Sequence, residues 1–387
     1  MKILFVTEMI FAPKQGAQAM ASAHFETLKQ MYGSGNVDLV YINLPNTGSE
    51  NGSAEYTYVQ SQSSKIAHII NSFSGRPYFV SVKAQNQVVR KVAEGGYDLV
   101  WFDNVYFGGI ARDIRNLNPQ VKIVSYSHDV QIQRELRFYY STHNFKHLML
   151  SIKGIVAGEE AMMQTADAKF LLTKRDKTLT EYIYSNAKNL HILPVYFKDF
   201  ARSFEPNEDA KQRDSNINLL FVGSHYRPNI EAAQWFALNV MPLLPPDFRF
   251  YIVGNGLEKV ASLRSLQDDC IRLIGTCEDL NDWYRISDIV VGPILSGSGM
   301  KTKVAEALMF GRPFVGTDEA LVGYEQTDAC IRSNTAEEFA EAIQGLVRIG
   351  DLGFSPDRRK DFERFYSSEA AEAIISSCIS DVFEQGA

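Results

Sequence analysis

The chain has 387 residues, more than one hydrophobic core usually serves, so two domains of ordinary size are expected. Hydrophobic residues make up 45% of the sequence and aromatic residues 12%, a composition that excludes a disordered or low-complexity chain. The formal net charge is −7, yet residues 1–195 hold 20 Lys and Arg against 16 Asp and Glu, so the acidity lies in the second half.

The sequence shows neither a membrane-spanning run of about twenty apolar residues nor a secretion signal with a small-residue cleavage site. Its beginning, MKILFVTEMIFAP, has the pattern of a core strand instead. The cysteine spacings suit neither a zinc site nor a disulfide framework and predict buried thiols in a reducing, cytoplasmic setting. The four cysteines are Cys270, Cys277, Cys330 and Cys378.

Short β-branched apolar runs alternate with amphipathic segments through residues 1–195, which we take as the first domain. This alternation predicts a parallel sheet covered by helices on both faces. The amphipathic segments lie at 17–31 and 86–94. The predicted strands span 2–8, 37–44, 97–104, 121–127, 168–173 and 190–195.

Residues 196–215 are polar and charged without apolar periodicity, which predicts a linker. A second domain of the same kind follows over 216–355, and the helical tail 356–387 is expected to return to the first domain. Within the tail, Ser368 or its neighbour could cap a last helix. The second domain has predicted strands at 218–224, 248–254, 271–276, 288–294 and 312–317, and predicted helices at about 228–243, 256–266, 301–310 and 334–347.

The most informative segment is SGSGMKTKVAEALMFGRPFVGT (296–317). A strand ends there in small residues that permit close backbone approach, and the N-terminus of the following helix favours an anion such as a diphosphate. Lys301 and Lys303 add positive charge, and Glu306 lies where a carboxylate could accept from both ribose hydroxyls. A plain strand-to-helix turn with solvated lysines is the alternative explanation.

The segment resembles the C-terminal signature of retaining nucleotide-sugar glycosyltransferases of the GT-B fold, namely glycosyltransferase family 4 (glycosyl transferases group 1). That fold has two Rossmann-like domains, each with a doubly wound parallel sheet, which face each other across a cleft. The shared pattern is G-x-x-x-K-V-x-E-A-x-x-x-G-x-P-x-V. It is carried by Gly299, Lys303, Val304, Glu306, Ala307, Gly311, Pro313 and Val315.

The resemblance covers the whole second domain through FVGSHYRPNIEAAQWF (221–236), VGNG (253–256) and LIGTCEDLNDWYRISDIVVGPI (273–294). It implies that the donor is held by residues of these segments and of the small-residue turn. The implied donor-binding residues of the second domain are Gly223, Ser224, Gly254, Asp279, Leu280, Gly297, Ser298, Gly299, Met300 and Glu306.

The first domain is similar to the family in the same order. Gly16 lies after strand one, where such families place a glycine-rich loop facing the donor phosphates, although a second glycine is absent. SYSHDVQIQRELRFY (125–139) resembles the family's strand followed by His-Asp, which implies that His128 contacts the sugar or its leaving phosphate. Asn104, Asp129 and Lys174, at the ends of strands, are acceptor-side candidates, and a structural role is the alternative for each.

Two positions depart from the family pattern. Ser298 stands where the first of two motif glutamates is usual, so backbone N–H groups of 297–299 are expected to hold the sugar hydroxyls instead. Arg227 lies three residues past Ser224 rather than directly after the strand-ending glycine. Lys301 or Lys303 is therefore the better-supported member of the cationic pair that neutralises the diphosphate.

The resemblance implies a hexosyltransferase-type enzyme that passes a sugar, with retention, from a UDP- or GDP-linked donor to a glycan, lipid-linked or other hydroxyl acceptor. The expected setting is polysaccharide or glycoconjugate biosynthesis in the cytoplasm. The expected catalytic residues are His128, Lys301, Lys303 and Arg227. We expect no metal, because the sequence has no Asp-x-Asp cluster, and neither a cofactor beyond the donor nor a nucleic-acid partner.

Three matters stay open in the sequence. A nucleotide-sugar epimerase of the same fold, or a non-catalytic sugar-nucleotide-binding subunit, would use the same phosphate site. Residues 130–165 mix basic, aromatic and apolar side chains at helical spacing, which fits core packing, acceptor docking or a peripheral contact with the inner face of the membrane. An NAD enzyme is disfavoured because no G-x-G-x-x-G follows strand one.

Overall fold

The computed structural model describes residues 1–9, 16–43, 57–60, 77, 80–201, 216–297 and 299–384. The chain divides into two compact units, Met1–Pro194 with Ala371–Ala387, and Val195–Ala370. Most of the predicted linker therefore lies outside the described residues.

The first unit contains a parallel sheet of seven strands in the order β3-β2-β1-β4-β5-β6-β7. The central strand β1 is apolar and wholly buried, and its Phe5 lies opposite Leu39 on one side and Trp101 on the other. Strand order thus reverses between β1 and β4. The strands are β1 Ile3–Thr7, β2 Val37–Asn43, β3 Thr57–Gln60, β4 Leu99–Phe102, β5 Lys122–Ser127, β6 Ala168–Leu171 and β7 Leu190–Ile192.

Helices connect these strands. A representative one begins where the Ser81 side chain accepts from the Ala84 N–H, and it ends at Gly96 in the left-handed conformation. Val88 and Val92, one turn apart, lie on its buried face. The helices are α1 Gly16–Tyr32, α2 Val82–Gly95, α3 Gly108–Leu117, α4 Gln131–Thr142, α5 Phe145–Ser151, α6 Ala157–Thr165 and α7 Lys174–Ile183, with a π-helical turn at Ile152–Val156.

The second unit repeats this plan with a six-stranded parallel sheet in the order β10-β9-β8-β11-β12-β13. Its strand order reverses between β8 and β11. The strands are β8 Ile217–Val222, β9 Phe248–Val253, β10 Ile271–Gly275, β11 Ile289–Gly292, β12 Phe314–Gly316 and β13 Cys330–Arg332. The helices are α8 Arg227–Trp235, α9 Ala261–Arg264, α10 Asn281–Ile286, α11 Thr302–Met309, α12 Ala336–Ile349, α13 Pro356–Phe365 and α14 Ser368–Glu384.

The two C-terminal helices lie mostly in different units of the chain. The Arg358 guanidinium on α13 donates to the Gly311 carbonyl at 2.9 Å and pairs with Asp351 at 2.9 Å, so α13 packs within the second unit. Helix α14 begins with the Ala370 N–H donating to Ser367 Oγ, which makes Ser367 its cap. From Ala371 onward this helix is counted with the first unit.

The predicted α/β class with two doubly wound parallel sheets is confirmed, and each predicted strand corresponds to an observed one. The short polar strands β3 and β13 were not expected. The helix predicted over 228–243 keeps its regular form only to Trp235, after which the chain forms a π-helical turn and then a 3₁₀ turn containing Pro242. The segment 256–266 forms a 3₁₀ turn and a four-residue helix.

Candidate functional site

In the second unit, Gly223 and Ser224 follow β8, Gly254 follows β9, and Gly297 and Gly299 follow β11, so these predicted donor residues lie at the carboxyl ends of neighbouring strands. Ligands of open parallel sheets bind beyond these ends, where strand order reverses. The loops there are tightly apposed, because Gly254 has φ +138° and a Cβ on it would lie 1.7 Å from the Gly223 carbonyl oxygen. Only glycine allows the ends of β8 and β9 to approach this closely.

The turn that leads from β11 into α11 contains two glycines with positive φ, Gly297 at 144° and Gly299 at 65°, while Ser298 lies outside the described residues. Met300 is buried at 7% exposure. Helix α11 begins at Thr302, so its first N–H groups have no carbonyl one turn back within the helix. This end of the helix has the geometry that favours an anion.

Tyr324 fixes the start of α11. Its hydroxyl donates to the Lys301 carbonyl at 2.8 Å and accepts from the Ala305 N–H at 3.3 Å. The side chain is buried at 7% exposure, so the N-terminus of α11 is held in one position. A preformed helix end need not be ordered when an anion binds.

Lys303 is a buried cation at the start of this helix, with 6% exposure. Its Nζ donates to Asn229 Oδ1 at 3.0 Å and lies 4.3 Å from the centre of the Phe221 ring. Asn229 in turn donates to the Ser224 carbonyl at 3.2 Å. Burial lowers the pKa of Lys303 to about 7, so a nearby anion would draw a proton onto it.

Lys301 lies on the same turn. Its Nζ donates to the Gly299 carbonyl at 2.8 Å and pairs with Glu319 at 3.3 Å. The side chain is 13% exposed, and its charge helps to lower the pKa of Lys303. The two lysines thus bring two amino groups to the N-terminus of α11, where Lys301 pairs with Glu319 and a bound anion would favour the protonated form of Lys303.

Glu306 lies on α11 one turn beyond Lys303 and is partly exposed. Its Oε2 accepts from the Tyr284 hydroxyl at 2.5 Å, and the Tyr284 ring stacks on Phe310 with centroids 5.2 Å apart. Burial raises the pKa of Glu306, and the bond from Tyr284 partly opposes that effect. Tyr284 therefore orients the Glu306 carboxylate near the start of α11.

The other predicted donor-side residues stand outside this network. Arg227 begins α8 with a side chain that is 76% exposed and pairs with Glu231 at 2.7 Å, one turn along the helix. Asp279 is exposed and accepts from the Asn281 N–H at 2.8 Å at the start of α10. Leu280 is partly exposed.

In the first unit, Asp103 joins two histidines beyond the carboxyl ends of β4 and β5. Its Oδ1 lies 2.6 Å from His24 Nδ1, and its Oδ2 lies 3.1 Å from His128 Nε2. Asp103 and His24 are fully buried, and the His128 side chain is 9% exposed. Three elements, α1, β4 and β5, thus place one carboxylate between two imidazoles.

The pKa values of the two histidines shift in opposite directions in this cluster. Burial lowers the pKa of His24, so this ring is neutral and donates to Asp103. Burial also acts to lower the pKa of His128, but the charge and hydrogen bond of Asp103, with Glu8 and Asp129, raise it overall. The pKa of Asp103 stays below its usual range despite burial, because both histidines favour the carboxylate. Asp103 therefore favours protonation of His128 more than protonation of His24.

Glu8 follows β1 and adjoins this cluster with 6% exposure. Its Oε1 accepts from Asn104 Nδ2 at 3.1 Å and from the Tyr106 hydroxyl, and burial raises its pKa. Asn104, an expected acceptor-side residue, is itself buried at 2% exposure and also caps the Val105 N–H at 2.9 Å. These contacts fix Asn104 in place.

The remaining candidates of the first unit lie at the ends of elements. Asp129 is partly exposed, and its carbonyl accepts from Ser127 Oγ at 2.7 Å. Lys174 is exposed at the start of α7, and Gly16 begins α1, although residues 10–15 before it lie outside the description.

Within the described ranges, no cluster of His, Cys, Asp and Glu could hold a metal ion. Among the described helices, none is both long and apolar enough to span a lipid bilayer.

Residues 216–348 match the family model of the glycosyl transferases group 1. Over this range the second unit is similar to the group 1 glycosyl transferases. This match covers the Lys303–Asn229 pair, Glu306 and Tyr284, and it confirms the resemblance seen in the sequence. No curated protein matches the chain at a significant level.

Solved structures extend the fold assignment to both units. HepE of Anabaena in complex with UDP is 13% identical, covers 98% of this chain and 100% of its own, and has a TM-score of 0.70. Sucrose-phosphate synthase from Thermosynechococcus elongatus is 14% identical with 99% of each chain covered and a TM-score of 0.68. The apo lipopolysaccharide outer core galactosyltransferase WaaB is 16% identical, covers 98% and 99%, and has a TM-score of 0.65. At these identities the likeness shows the GT-B fold.

Proposed function

We propose that this chain transfers a sugar from a nucleoside diphosphate sugar to a hydroxyl acceptor. The observation that carries the proposal is the meeting of Lys303, Lys301 and Glu306 on the first turns of α11, at the reversal point of the second sheet. Cations at a helix N-terminus suit a diphosphate, and an oriented carboxylate suits ribose hydroxyls. HepE, the similar structure, has been crystallised with UDP and with UDP-glucose, which favours UDP over GDP.

The proposed chemistry follows from charge. As the bond between the sugar carbon and the diphosphate oxygen breaks, negative charge grows on the leaving oxygens, while the acceptor oxygen bonds to the sugar carbon and gives up its hydroxyl proton to the leaving diphosphate. Lys303, Lys301 and the N-terminus of α11 stabilise that negative charge. The two lysines can therefore take the place of a divalent metal ion. Asp103 lies 3.1 Å from His128 and raises its pKa, and the protonated ring that this favours suits the contact with the sugar or leaving phosphate implied by the family resemblance.

Retention of configuration, a glycan or lipid-linked acceptor, and a role in polysaccharide or glycoconjugate biosynthesis belong to this proposal. They are supported by the resemblance of the second unit to group 1 glycosyl transferases. Ser298, in place of a motif glutamate, means that the turn 297–299 must hold the sugar through other groups.

A thermal-shift screen tests donor binding, because a ligand bound only by the folded chain raises the melting temperature. We expect UDP and UDP-hexoses to raise it in the presence of EDTA, and the Glu306→Ala variant to lose that shift. Absence of a shift with every nucleoside diphosphate would refute the proposal. A shift that survives in Glu306→Ala would remove Glu306 from ribose binding.

Turnover separates this function from its alternatives. Release of UDP that depends on an added acceptor is the result expected for a transferase. Conversion of the donor to its epimer without an acceptor would identify an epimerase. Tight donor binding without turnover across a broad set of acceptors would identify a non-catalytic subunit.

A further inference from the structure

Six large apolar side chains are exposed within residues 136–152, on α4, α5 and the first residue of the following π-helical turn. Scattered exposed apolar residues are normal, but such a concentration marks an interaction surface. We call this region the α4–α5 surface. Its exposed apolar residues are Leu136, Phe138, Tyr140, Phe145, Met149 and Ile152, with Tyr140 72% and Phe145 61% exposed.

Contacts between aromatic rings join the two helices of this surface. The Tyr139 ring contacts both Tyr140 and Phe145, with centroids 5.8 Å and 6.4 Å apart, so it joins α4 to α5. A second junction is the contact between Phe138 and His147, with centroids 4.7 Å apart. Aromatic rings therefore join α4 to α5 at two places, and both include an exposed phenylalanine.

The exposed apolar residues of α5 and the next residue in the chain share one side of the helix. Phe145, Met149 and Ile152 are separated by four and three residues, which places them on one side of a helix. Lys146 and Lys153 each directly follow a member of this row, Phe145 and Ile152, in the sequence. An apolar row bordered by lysines is typical of helices that lie at a membrane surface.

The charge of the α4–α5 surface contrasts with that of the whole chain, whose net charge is −7. Residues 131–156 contain four Arg or Lys and one acidic residue, Glu135. That carboxylate is buried and lies 2.9 Å from Arg134 and 3.0 Å from His147, so it is already neutralised. Lys146 is exposed, and the net charge of the segment is positive. Positive charge beside apolar side chains complements anionic lipid headgroups.

We propose that the α4–α5 surface docks this protein on an anionic lipid bilayer. Tyr140, Phe145 and Met149 enter the headgroup region, and Lys146 and Lys153 contact acidic headgroups. A second copy of the chain is the poorer occupant, because pairing this surface with itself would bring basic residues together. The proposal is independent of sugar transfer, although a docked enzyme would meet a lipid-linked acceptor directly.

Sedimentation with vesicles tests the proposal without any substrate. We expect the wild-type chain to bind vesicles of equal phosphatidylglycerol and phosphatidylcholine at least about tenfold more tightly than pure phosphatidylcholine vesicles, with loss of that difference in high salt. The Tyr140→Ser/Phe145→Ser and Lys146→Glu/Lys153→Glu variants should each bind about tenfold more weakly or worse. Tyr182→Ser is the matched control, because Tyr182 is 87% exposed on α7 of the same unit and lies outside the surface.

Melting temperature and UDP-induced shift are measured for each variant, so that lost docking is distinguished from unfolding and from failure of the donor site. Equal binding to both vesicle types would overturn the proposal. Equal binding by the surface variants and by Tyr182→Ser would do the same. If the wild-type chain binds neither kind of vesicle, and is a dimer where the surface variants are monomers, the α4–α5 surface is an interface between two copies instead.

Discussion

The Nζ atom of Lys303 lies 3.0 Å from the Oδ1 atom of Asn229, so the start of α11 is tied to the first turn of α8. Asn229 also donates to the Ser224 carbonyl at the end of β8. The cation is thereby aimed from a fixed position rather than carried on a mobile surface chain. Preorganised charge of this kind is what stabilises charge developing in a transition state.

The variant Lys303→Met should lower the rate of sugar transfer by about 100-fold, because it removes a fixed positive charge from the leaving diphosphate. Met has a similar volume, and burying a lysine without a carboxylate bonded to it is costly, so the melting temperature should not fall. Steady-state kinetics and calorimetric melting provide the two measurements. The matched control is Lys259→Met, which removes an exposed lysine of the same unit. Equal rates for the two variants would exclude a catalytic charge at position 303.

The pH dependence of stability should also report on Lys303. Burial lowers its pKa from 10.5 to about 7, with Glu306 and Lys301 as its charged neighbours. At pH values between these two pKa values, Lys303 binds a proton in the unfolded chain but not in the folded chain. The contribution of Lys303 to the free energy of unfolding therefore rises with pH from about 7 to 10.5. Denaturant titrations of wild type and Lys303→Met should therefore diverge across this window, with the wild type gaining stability relative to the variant. Parallel pH profiles would mean that Lys303 is not desolvated.

The α11 segment also shows what the sequence could and could not predict. The proximity of Lys303 and Glu306 can be predicted from the sequence, because one short helix carries both residues. Asp103 was missed because its partner His24 is 79 residues away, and only the assembled sheet brings them together. A usable signal did exist, since Glu8 and Asp103 each follow an apolar central strand closely, at an edge where parallel sheets place functional groups.

A similar contrast applies to the fold. Strand β1, with the sequence ILFVT, is buried at each residue and was predicted from its apolar run. The edge strand β13, with the sequence CIR, is partly exposed and too short for an apolar pattern. Sheet edges bury less surface, so their sequences are under less hydrophobic constraint.

The variant Asp103→Asn should shift the pH profile of activity. Asp103 raises the pKa of His128, and an amide without charge would let burial lower it. If the protonated ring is the active form, the variant should lose about tenfold at pH 8 and recover toward wild-type rates near pH 6. Asp98→Asn is the control, because Asp98 precedes the opposite end of the same strand and binds the Lys2 N–H. A uniform loss at each pH would assign Asp103 a structural role alone.

The glycine at position 254 should prove the least replaceable residue near the proposed donor site. A Cβ there would lie 1.7 Å from the Gly223 carbonyl oxygen, and φ of +138° is unfavourable for any other residue. Gly254→Ala must therefore separate the ends of β8 and β9, at an expected cost of about 3 kcal/mol or more in the free energy of unfolding. Gly345→Ala is the matched control, because a Cβ at Gly345 meets no atom within 4 Å and the residue lies inside α12. That substitution should stabilise the chain by about 0.5–1 kcal/mol through helix propensity. Urea titrations of the two variants should thus move in opposite directions from wild type, and a Gly254→Ala chain as stable as wild type would mean that the two strand ends are not in contact.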